Sequence, residues 1–494
     1  FGVGTIDQAM YVALNTRHNA LRLVGLAGKV VILDEVHAYD TYMTTIVERL
    51  LEWLGQCGTS VILLSATLPT GRRQRLLKAY TGRPIELDEN KDHAYPSVIT
   101  VSRNEQAHLT PEARPSGEAT ALHFLAYDDE QAPAKAEWLL QQVREGGCAC
   151  WVANTVRRAQ EIFTALRQAA PGDVRLTLLH ARFPLEERQQ RERELLHLYG
   201  KEGQRPERGI VVGTQVLEQS LDVDFDVMAS DHAPVDLLLQ REGRLHRHAR
   251  PRPAAHLTPR LYVNAARAPG DELILGVDRH VYNEYILRRS WYILRQRTAL
   301  NLPTDYRPLI EYVYDETPPE EEALKQAYQA LLAERNRQQE EARWRVIQPP
   351  HPTQPFCTAS QPVFDEDEDS AAWLVAQTRL GQESVTLIPL ERHGDQARLV
   401  PLNETVALGR AASREMQLRL LRRSMRVSQP TVVQALKAQN AQVRTPLFTE
   451  SSLLKHVQPL WLTDGQAALT IGGHTLMVVL DEELGLQFTK GDSP

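Results

Sequence analysis

Cysteine is scarce in this sequence, with four residues in 494. Cys57, Cys148, Cys150 and Cys357 show no CxxC pairing, so neither a zinc site nor a disulfide framework is supported. Cys148 and Cys150 lie beside a predicted strand and read as core packing. No run of about 18 apolar residues occurs, and the segment from Phe1 onward is not a signal peptide. That excludes a helical membrane span and a membrane partner, and makes the cytoplasm the expected compartment. Excess basic charge is also missing, the formal net charge being −7. Any nucleic-acid path must therefore be a local basic channel rather than a field over the whole surface. No internal repeat is seen. Nor is there a Gly-x-x-x-x-Gly-Lys-Ser/Thr loop, which would cradle phosphates through its backbone N–H groups and its lysine. The length predicts about three domains with ample cores.

What is present starts with Val30-Val31-Ile32-Leu33-Asp34-Glu35-Val36-His37. The apolar run, rich in β-branched residues, predicts a parallel strand buried on both faces. Adjacent carboxylates follow at its carboxyl end, where open α/β sheets bind ligands. Such an element can hold Mg²⁺ and activate water for nucleotide hydrolysis, although an acidic turn after a strand is also an ordinary structural feature. A second strand, Ser60 to Leu64, runs into Ser65-Ala66-Thr67-Leu68-Pro69. Between them, Met43, Ile46, Val47, Leu50, Leu51 and Leu54 recur at helical spacing, so the unit is strand–helix–strand.

A second α/β pattern begins at Cys150-Trp151-Val152-Ala153-Asn154-Thr155 and continues through a helix over Ala159 to Leu166 and a strand over Arg175 to Leu179. His180-Ala181-Arg182-Phe183 and a charged helix from Leu185 to Leu198 follow. Gly209 to Val216 reads as another buried strand, leading into Leu221-Asp222-Val223-Asp224-Phe225-Asp226. The pattern closes with Gln240-Arg241-Glu242-Gly243-Arg244-Leu245-His246-Arg247-His248. Arg244 and Arg247, three apart, are expected on one helix face, reaching one polyphosphate with planar donor forks. The plainer reading of the cluster is a solvated basic helix end.

The ordered series DEVH, SAT, the Asn-Thr strand, GTQVLEQSLDVDFD and QREGRLHRH resembles superfamily-two helicases over roughly residues 1–265. More narrowly it resembles the Cas three family, the signature helicase–nucleases of type I CRISPR systems. Thr5-Ile6-Asp7-Gln8 upstream, Glu218-Gln219-Ser220-Leu221-Asp222 in place of Arg-Gly-Leu-Asp, and the Arg247-His248 ending narrow it. The resemblance implies tandem RecA-like parallel-sheet domains, the first truncated at its amino end, then a helical linker and a small mixed α/β C-terminal domain. The boundaries are expected at residues 1–105, 116–265, 266–350 and 351–494. Asn104 to Glu118 reads as a hinge. Val277 to Leu300 has helical spacing, as does a long charged helix from Glu320 to Arg345. The acidic run Asp365 to Asp369 reads as a solvated loop. From about residue 371 short strands are expected at Val385 to Leu390, Ala397 to Leu402, Ala467 to Ile471 and Leu476 to Leu480. Arg419, Arg422, Arg423 and Arg426, at i, i+3, i+4 and i+7, form an arginine stripe on one helix face. It is either a solvated face or a ridge that tracks phosphates or docks a ribonucleoprotein.

Residue roles follow from the resemblance. ATP is bound between the two RecA-like domains, with Asp34 holding Mg²⁺ through water and Glu35 acting as the base. Arg244 and Arg247 act as arginine fingers, Gln240 senses the γ-phosphate, and Asp222 aligns with an acid that contacts ribose. His37, Ser65 and Thr67 couple the site to DNA, His37 alternatively being a satisfied helix-start histidine. Thr5, Asn154, Thr155, Arg182 and Thr214 contact DNA phosphates, because a translocase must ignore sequence. Arg182 could equally pair with Glu186 and Glu187. The implied activity is 3′-to-5′ translocation on the single-stranded non-target strand, after recruitment to the Cascade surveillance complex through its large subunit. A transition-metal HD nuclease degrades the DNA. Neither that HD domain nor the P-loop is in this sequence, so a missing amino-terminal half is an expected partner, and the segment alone is expected to be inactive. The competing readings are a superfamily-two repair helicase outside CRISPR and a non-catalytic fragment that binds DNA or a partner.

Overall fold

The computed structural model describes residues 2–16, 18–66, 68–87, 95–102, 104–113, 118–218, 221–268, 272–351, 378–380, 384–402, 404–441, 445–471 and 474–490. Thr67, Cys357 and the acidic run at 365–369 lie outside them. The chain forms two compact units.

The first unit comprises Phe1–Ala119, Pro234–Asp236 and Tyr282–Leu380. Its centre is β1 (Val30–Leu33), α1 (Thr41–Gln56), β2 (Ser60–Leu63) and α2 (Thr70–Thr81). The strands pair in parallel, Val30 opposite Ser60 through Leu33 opposite Leu63. Asp40 caps α1 by accepting the Met43 N–H at 2.8 Å, which satisfies one of the orphan donors of the first turn. The apolar face of α1 buries Tyr42, Ile46, Val47, Leu50, Trp53 and Leu54. That face packs against Val31 and Leu33 in one core. The other face of β1 differs from expectation. Val30 and Ile32 are 62% and 59% exposed, because the strand alternates. Among the described residues nothing covers that side, so burial on both faces does not hold here.

The helices expected as a linker belong to this unit. Glu284–Leu294 and Tyr306–Tyr314 are helical, as is Glu322–Arg345, while 276–280 is a 3₁₀ turn of the second unit. Glu311 accepts from the Thr70 backbone N–H at 3.0 Å and its hydroxyl at 2.6 Å. Arg307 donates to the Leu68 carbonyl at 3.0 Å. The loop after β2 is thus gripped from the carboxyl-terminal side of the unit. Part of the expected hinge is ordered, since Gln106–Leu109 pairs antiparallel with Val98–Val101.

The second unit comprises Thr120–Ala233, Leu237–Val281 and Gly381–Pro494. Its parallel sheet uses β3 (Thr120–Leu125), β4 (Gly147–Val152), β5 (Arg175–Leu179), β6 (Arg208–Gly213), β7 (Val227–Asp231) and β8 (Arg260–Asn264), with α3 (Val156–Ala169) and α4 (Leu185–Tyr199) as crossovers. The order is β3-β8-β7-β4-β6-β5. Residues of β4, Gly147 to Val152, are buried throughout, the pattern of a central parallel strand. The strand predicted to reach Val216 stops at Gly213, and Gln215–Leu217 turns as a 3₁₀ helix.

The four C-terminal strands expected near Val385, Ala397, Ala467 and Leu476 are present, the second ending at Leu399 rather than Leu402, and among the described residues four further strands join them. A mixed sheet is built on β9 (Val385–His393), paired with β10 (Gln396–Leu399) and, further on, β11 (Thr405–Ala407). Helix α5 (Arg414–Arg422) leads into β12 (Met425–Val427), which pairs antiparallel with β9, and β13 (Val457–Leu462) pairs parallel with it. An antiparallel sheet follows: β14 (Gln466–Ile471), β15 (His474–Asp481) and β16 (Gly485–Lys490). The β15–β16 turn docks on the end of β5. Gln160 and Leu486 donate there, to the carbonyls of Leu484 (2.7 Å) and Arg182 (2.9 Å). Gly485 has φ +70, and a Cβ at that position would lie 2.8 Å from the Arg182 carbonyl oxygen, so glycine is required twice over.

Candidate active site

The acidic turn of the first unit is built by strand pairing. Leu64 donates to the Leu33 carbonyl at 2.9 Å, and Val36 donates to the Leu64 carbonyl at 3.1 Å. The ends of β1 and β2 are thereby laced together just beyond the sheet. Glu35 sits in the left-handed region with φ 54, which costs a non-glycine residue on the order of 1–3 kcal/mol. Two contacts offset this: the Glu35 N–H donates to Asp34 Oδ1 at 2.9 Å, and the Tyr39 hydroxyl donates to the Asp34 carbonyl at 2.9 Å. Burial, and next the Asp34 carboxylate, push the Tyr39 hydroxyl up to about 12. It therefore stays a donor at neutral pH.

Three of the residues picked from sequence meet here. His37 Nδ1 lies 3.2 Å from Ser65 Oγ and 3.4 Å from Glu35 Oε2. Arg72 donates to the His37 carbonyl at 3.1 Å. Asp34 and Glu35 are exposed. Among the described residues no cation is paired with Asp34, and no group of three or more His, Cys, Asp or Glu is placed to hold a metal. A single exposed carboxylate oxygen at a strand end suits Mg²⁺, which keeps several waters and takes its remaining ligands from nucleotide phosphates. Thr5 is exposed at the start of the short helix Ile6–Met10.

In the second unit the arginines do not share a helix. The helix Val235–Glu242 ends before them, and His246 takes φ 45. Arg244 lies in the hydrogen-bonded turn that ends the helix, its N–H donating to the Arg241 carbonyl at 2.9 Å, and Arg247 lies beyond it on a strap laid along Phe225. The Phe225 N–H donates to the Arg244 carbonyl at 2.9 Å, and the His246 N–H donates to the Phe225 carbonyl at 3.1 Å. Gly243 still donates to the Leu239 carbonyl at 3.1 Å, and pairing with the DVDFD segment takes over at Leu245. Arg244 donates to the Glu218 carbonyl at 2.7 Å. Arg247 is exposed and pairs with Asp222 at 2.5 Å, and that guanidinium holds the Asp222 carboxyl below its ordinary value. Asp222 also lies 3.3 Å from His248 Nε2. Gln240, on the preceding helix, is half-buried.

Sequence reasoning passed over Arg241. It is fully buried, donates to the Glu218 carboxylate at 2.7 Å and to Ser230 Oγ at 2.6 Å. Its partner Glu218 stands just before Gln219-Ser220, the two residues in place of the commoner Arg-Gly. Removing one member of such a buried pair costs about 3–5 kcal/mol. No local signal marked the pair, since Glu218 and Arg241 stand 23 positions apart.

Glu242, at the end of the same helix, accepts from the Thr120 hydroxyl at 2.5 Å, and burial pushes its carboxyl up to about 7. A folded-state value above the unfolded one of about 4.3 means the protonated form favours folding. The contribution is complete below about pH 4.3 and is lost as pH rises through about 7. We expect the melting temperature of this chain to fall across that window, and Glu242→Gln to flatten the slope, as read by thermal denaturation at a series of pH values.

The polar residues assigned to DNA converge at the carboxyl ends of β4, β6 and β5, neighbours in the sheet, where such sheets bind ligands. They are not equally available. Asn154 is buried, its amide donating to the His232 carbonyl at 2.8 Å and Asp278 at 3.0 Å. Thr214 is 3% exposed. Thr155 is half-buried and caps α3 by accepting the Arg158 N–H at 3.3 Å. Arg182 stacks 4.6 Å from the Phe488 ring centroid, and burial pushes its guanidinium down to about 10. The ion pair foreseen with Glu186 and Glu187 is not formed. Glu187 takes Arg423 at 2.8 Å.

That contact also breaks the arginine stripe. Helix α5 ends at Arg422, so Arg423 is buried beyond its end and Arg426 lies in β12, bonded to Ser384 Oγ at 2.8 Å. Arg419 pairs with Glu404 at 3.1 Å and Glu415 at 3.3 Å. Arg422 remains exposed at the helix end. A helix-wide ridge is thus reduced to scattered side chains, because Arg423 is drawn into the junction with α4.

The fold and these two clusters define a class, the tandem RecA-like α/β helicases. Within it, residues 145–250 match the family described as CRISPR-associated nuclease/helicase Cas3, C-terminal, and residues 379–486 match the Cas3 C-terminal domain. The CRISPR-associated endonuclease/helicase Cas3 of Thermus thermophilus is 35% identical, covering 99% of this chain and 57% of its own length. The crystal structure of T. fusca Cas3-AMPPNP is 30% identical with a TM-score of 0.83, covering 98% of this chain and 57% of that one. A chain of a CRISPR RNA-guided surveillance complex, pre-nicking, is 31% identical with a TM-score of 0.78, covering 99% and 60%. The chain corresponds to the C-terminal helicase portion of Cas3. It spans little more than half the length of these relatives. Among the described residues no helix is long and apolar enough to cross a membrane.

Proposed function

We propose that this chain is the part of a CRISPR interference helicase that performs ATP hydrolysis and single-stranded DNA translocation once joined to a P-loop-bearing amino-terminal segment. The observation that carries the reading is the exposed Asp34–Glu35 pair at the end of β1, tied through His37 to Ser65 just beyond the neighbouring strand. ATP is the substrate. Asp34 would hold Mg²⁺, which when bound would supply neutralisation of developing phosphate charge. Glu35 accepts the proton of the attacking water. Arg244 and Arg247 stabilise charge on the transferring phosphoryl group. Gln240 senses the γ-phosphate.

His37 and Ser65 relay the state of that site to DNA, since an imidazole and a hydroxyl can exchange partners. Thr67 shares the relay by motif. Thr155, Arg182 and Thr5 contact DNA phosphates, with Arg422, Arg426 and Arg419 as outlying contacts. Asn154 and Thr214, being buried, hold the strand ends that present them. Movement is 3′-to-5′ on the non-target strand, in the cytoplasm. Recruitment is to the Cascade surveillance complex through its large subunit. The similarity to a chain of a surveillance complex supports that partner. DNA cleavage belongs to an HD domain with its own transition metal.

The isolated chain is expected to show no DNA-stimulated ATP hydrolysis, and joining it to the P-loop segment is expected to restore it. A phosphate-release assay with and without single-stranded DNA tests this, and robust turnover by the isolated chain would refute the need for a P-loop.

A further inference from the structure

The DVDFD segment carries more carboxylate than its proposed role uses. Asp224 and Asp226 are 0% and 1% exposed. Buried carboxylates persist only when paired and hydrogen-bonded. Both are satisfied by arginines distant in sequence. Asp224 meets Arg205 at 2.9 Å, Arg250 at 3.0 Å and Arg252 at 2.9 Å. Asp226 meets Arg205 at 2.5 Å and Arg252 at 2.6 Å, and accepts the Cys148 N–H at 2.7 Å. Burial pushes the Asp226 carboxyl up, but these partners outweigh it and leave it below its ordinary value. Two carboxylates thus face three guanidinium groups in one closed cage.

Among the bonds that leave the cage, one reaches the backbone of Arg247 itself. Asp224 Oδ1 accepts the backbone N–H of Arg247 at 2.8 Å. With the Phe225 bonds to Arg244 and His246, it pins the root of the arginine strap. The head is held differently, since the Arg247 guanidinium rests on Asp222 in a pair whose partners are 40% and 52% exposed. Exposed pairs are worth little and exchange readily. A rigid root with a releasable head is what an arginine needs to swing onto a phosphate without losing its aim.

We propose that Asp224 is a positioning residue for Arg247. It fixes the backbone from which that side chain reaches the transferring phosphoryl group, while Arg205, Arg250 and Arg252 hold the carboxylate in place. This rests on the role given to Arg247 above.

The test uses the complete protein, with ATP turnover measured at saturating single-stranded DNA and folding followed by melting temperature. Asp224→Asn is expected to lower kcat on the order of 10²-fold, the cost of misplacing a reacting group by about 1 Å, with KM for ATP unchanged. In an Arg247→Ala background it should add no further loss, because with the guanidinium gone its aim no longer matters. Arg205→Gln disturbs the cage without touching the Arg247 N–H and should leave kcat nearer the parent. Should Asp224→Asn not fold, Arg252→Lys, which removes the fork holding Asp224 Oδ1, the oxygen that accepts the Arg247 N–H, is expected to give the same fall in kcat at constant KM. Additive losses with Arg247→Ala, or equal losses of kcat and melting temperature in Arg205→Gln and Asp224→Asn, would overturn the inference. So would an unchanged kcat in Arg252→Lys. If Arg247→Ala itself turns over at the parent rate, the role of Arg247 fails. If Arg247→Ala is slow but Asp224→Asn is not, only the positioning role fails.

Discussion

In the complete protein, Glu35→Gln should bind ATP as tightly as the parent and hydrolyse it slower by on the order of 10²- to 10⁴-fold, the range a positioned general base contributes. The substitution keeps size and one carbonyl oxygen but removes the proton acceptor. Glu35 is well placed for that chemistry. Its backbone is held in the left-handed region by the Asp34 and Tyr39 contacts, and its carboxylate reaches His37. Binding measured with a non-hydrolysable analogue, alongside single-turnover hydrolysis, separates affinity from chemistry. A variant hydrolysing near the parent rate would remove Glu35 from the role of base.

Arg244→Ala and Arg247→Ala should each lower turnover on the order of 10³-fold, the scale of an arginine finger. The two are expected to differ in stability. Arg244 is half-buried and donates to the Glu218 carbonyl, so its loss disturbs the fold, whereas Arg247 is exposed on a weak pair with Asp222. Arg247→Lys should recover little activity, because an ammonium lacks the planar fork. Melting temperatures measured with the rates make the contrast visible. Equal turnover in parent and both alanine variants would show that neither arginine touches the reacting phosphate.

Much of this arrangement was legible in the residues. The helix predicted over Thr41 to Leu54 is Thr41–Gln56, because its apolar spacing and the Asp40 cap act locally. The C-terminal strands at Val385, Ala467 and Leu476 were also legible, since a short apolar run is a local signal. Local signals also put Asp34 and Glu35 at a strand end, while Asn154, Thr214 and Arg182 were picked by motif and only the fold brings them to the carboxyl ends of neighbouring strands. What remained hidden was which charge pairs with which. Glu187 chose Arg423 over Arg182, a partner 236 positions away. Asp224 drew in Arg205, Arg250 and Arg252, and Arg241 disappeared beneath Glu218. These choices follow from tertiary placement and burial, which composition and periodicity do not encode. The same holds for the strap. Helical spacing joined Arg244 to Arg247 on paper, but strand-like pairing with Phe225 took the segment out of the helix.

The most direct measurement is a structure of the complete protein with a non-hydrolysable ATP analogue and Mg²⁺. Glu35 and Asp34 should approach the γ-phosphate from one side, while Arg247, released from Asp222, reaches it by hydrogen bond from the other. An analogue bound with Arg247 still on Asp222 and Glu35 turned away from the γ-phosphate would contradict the account.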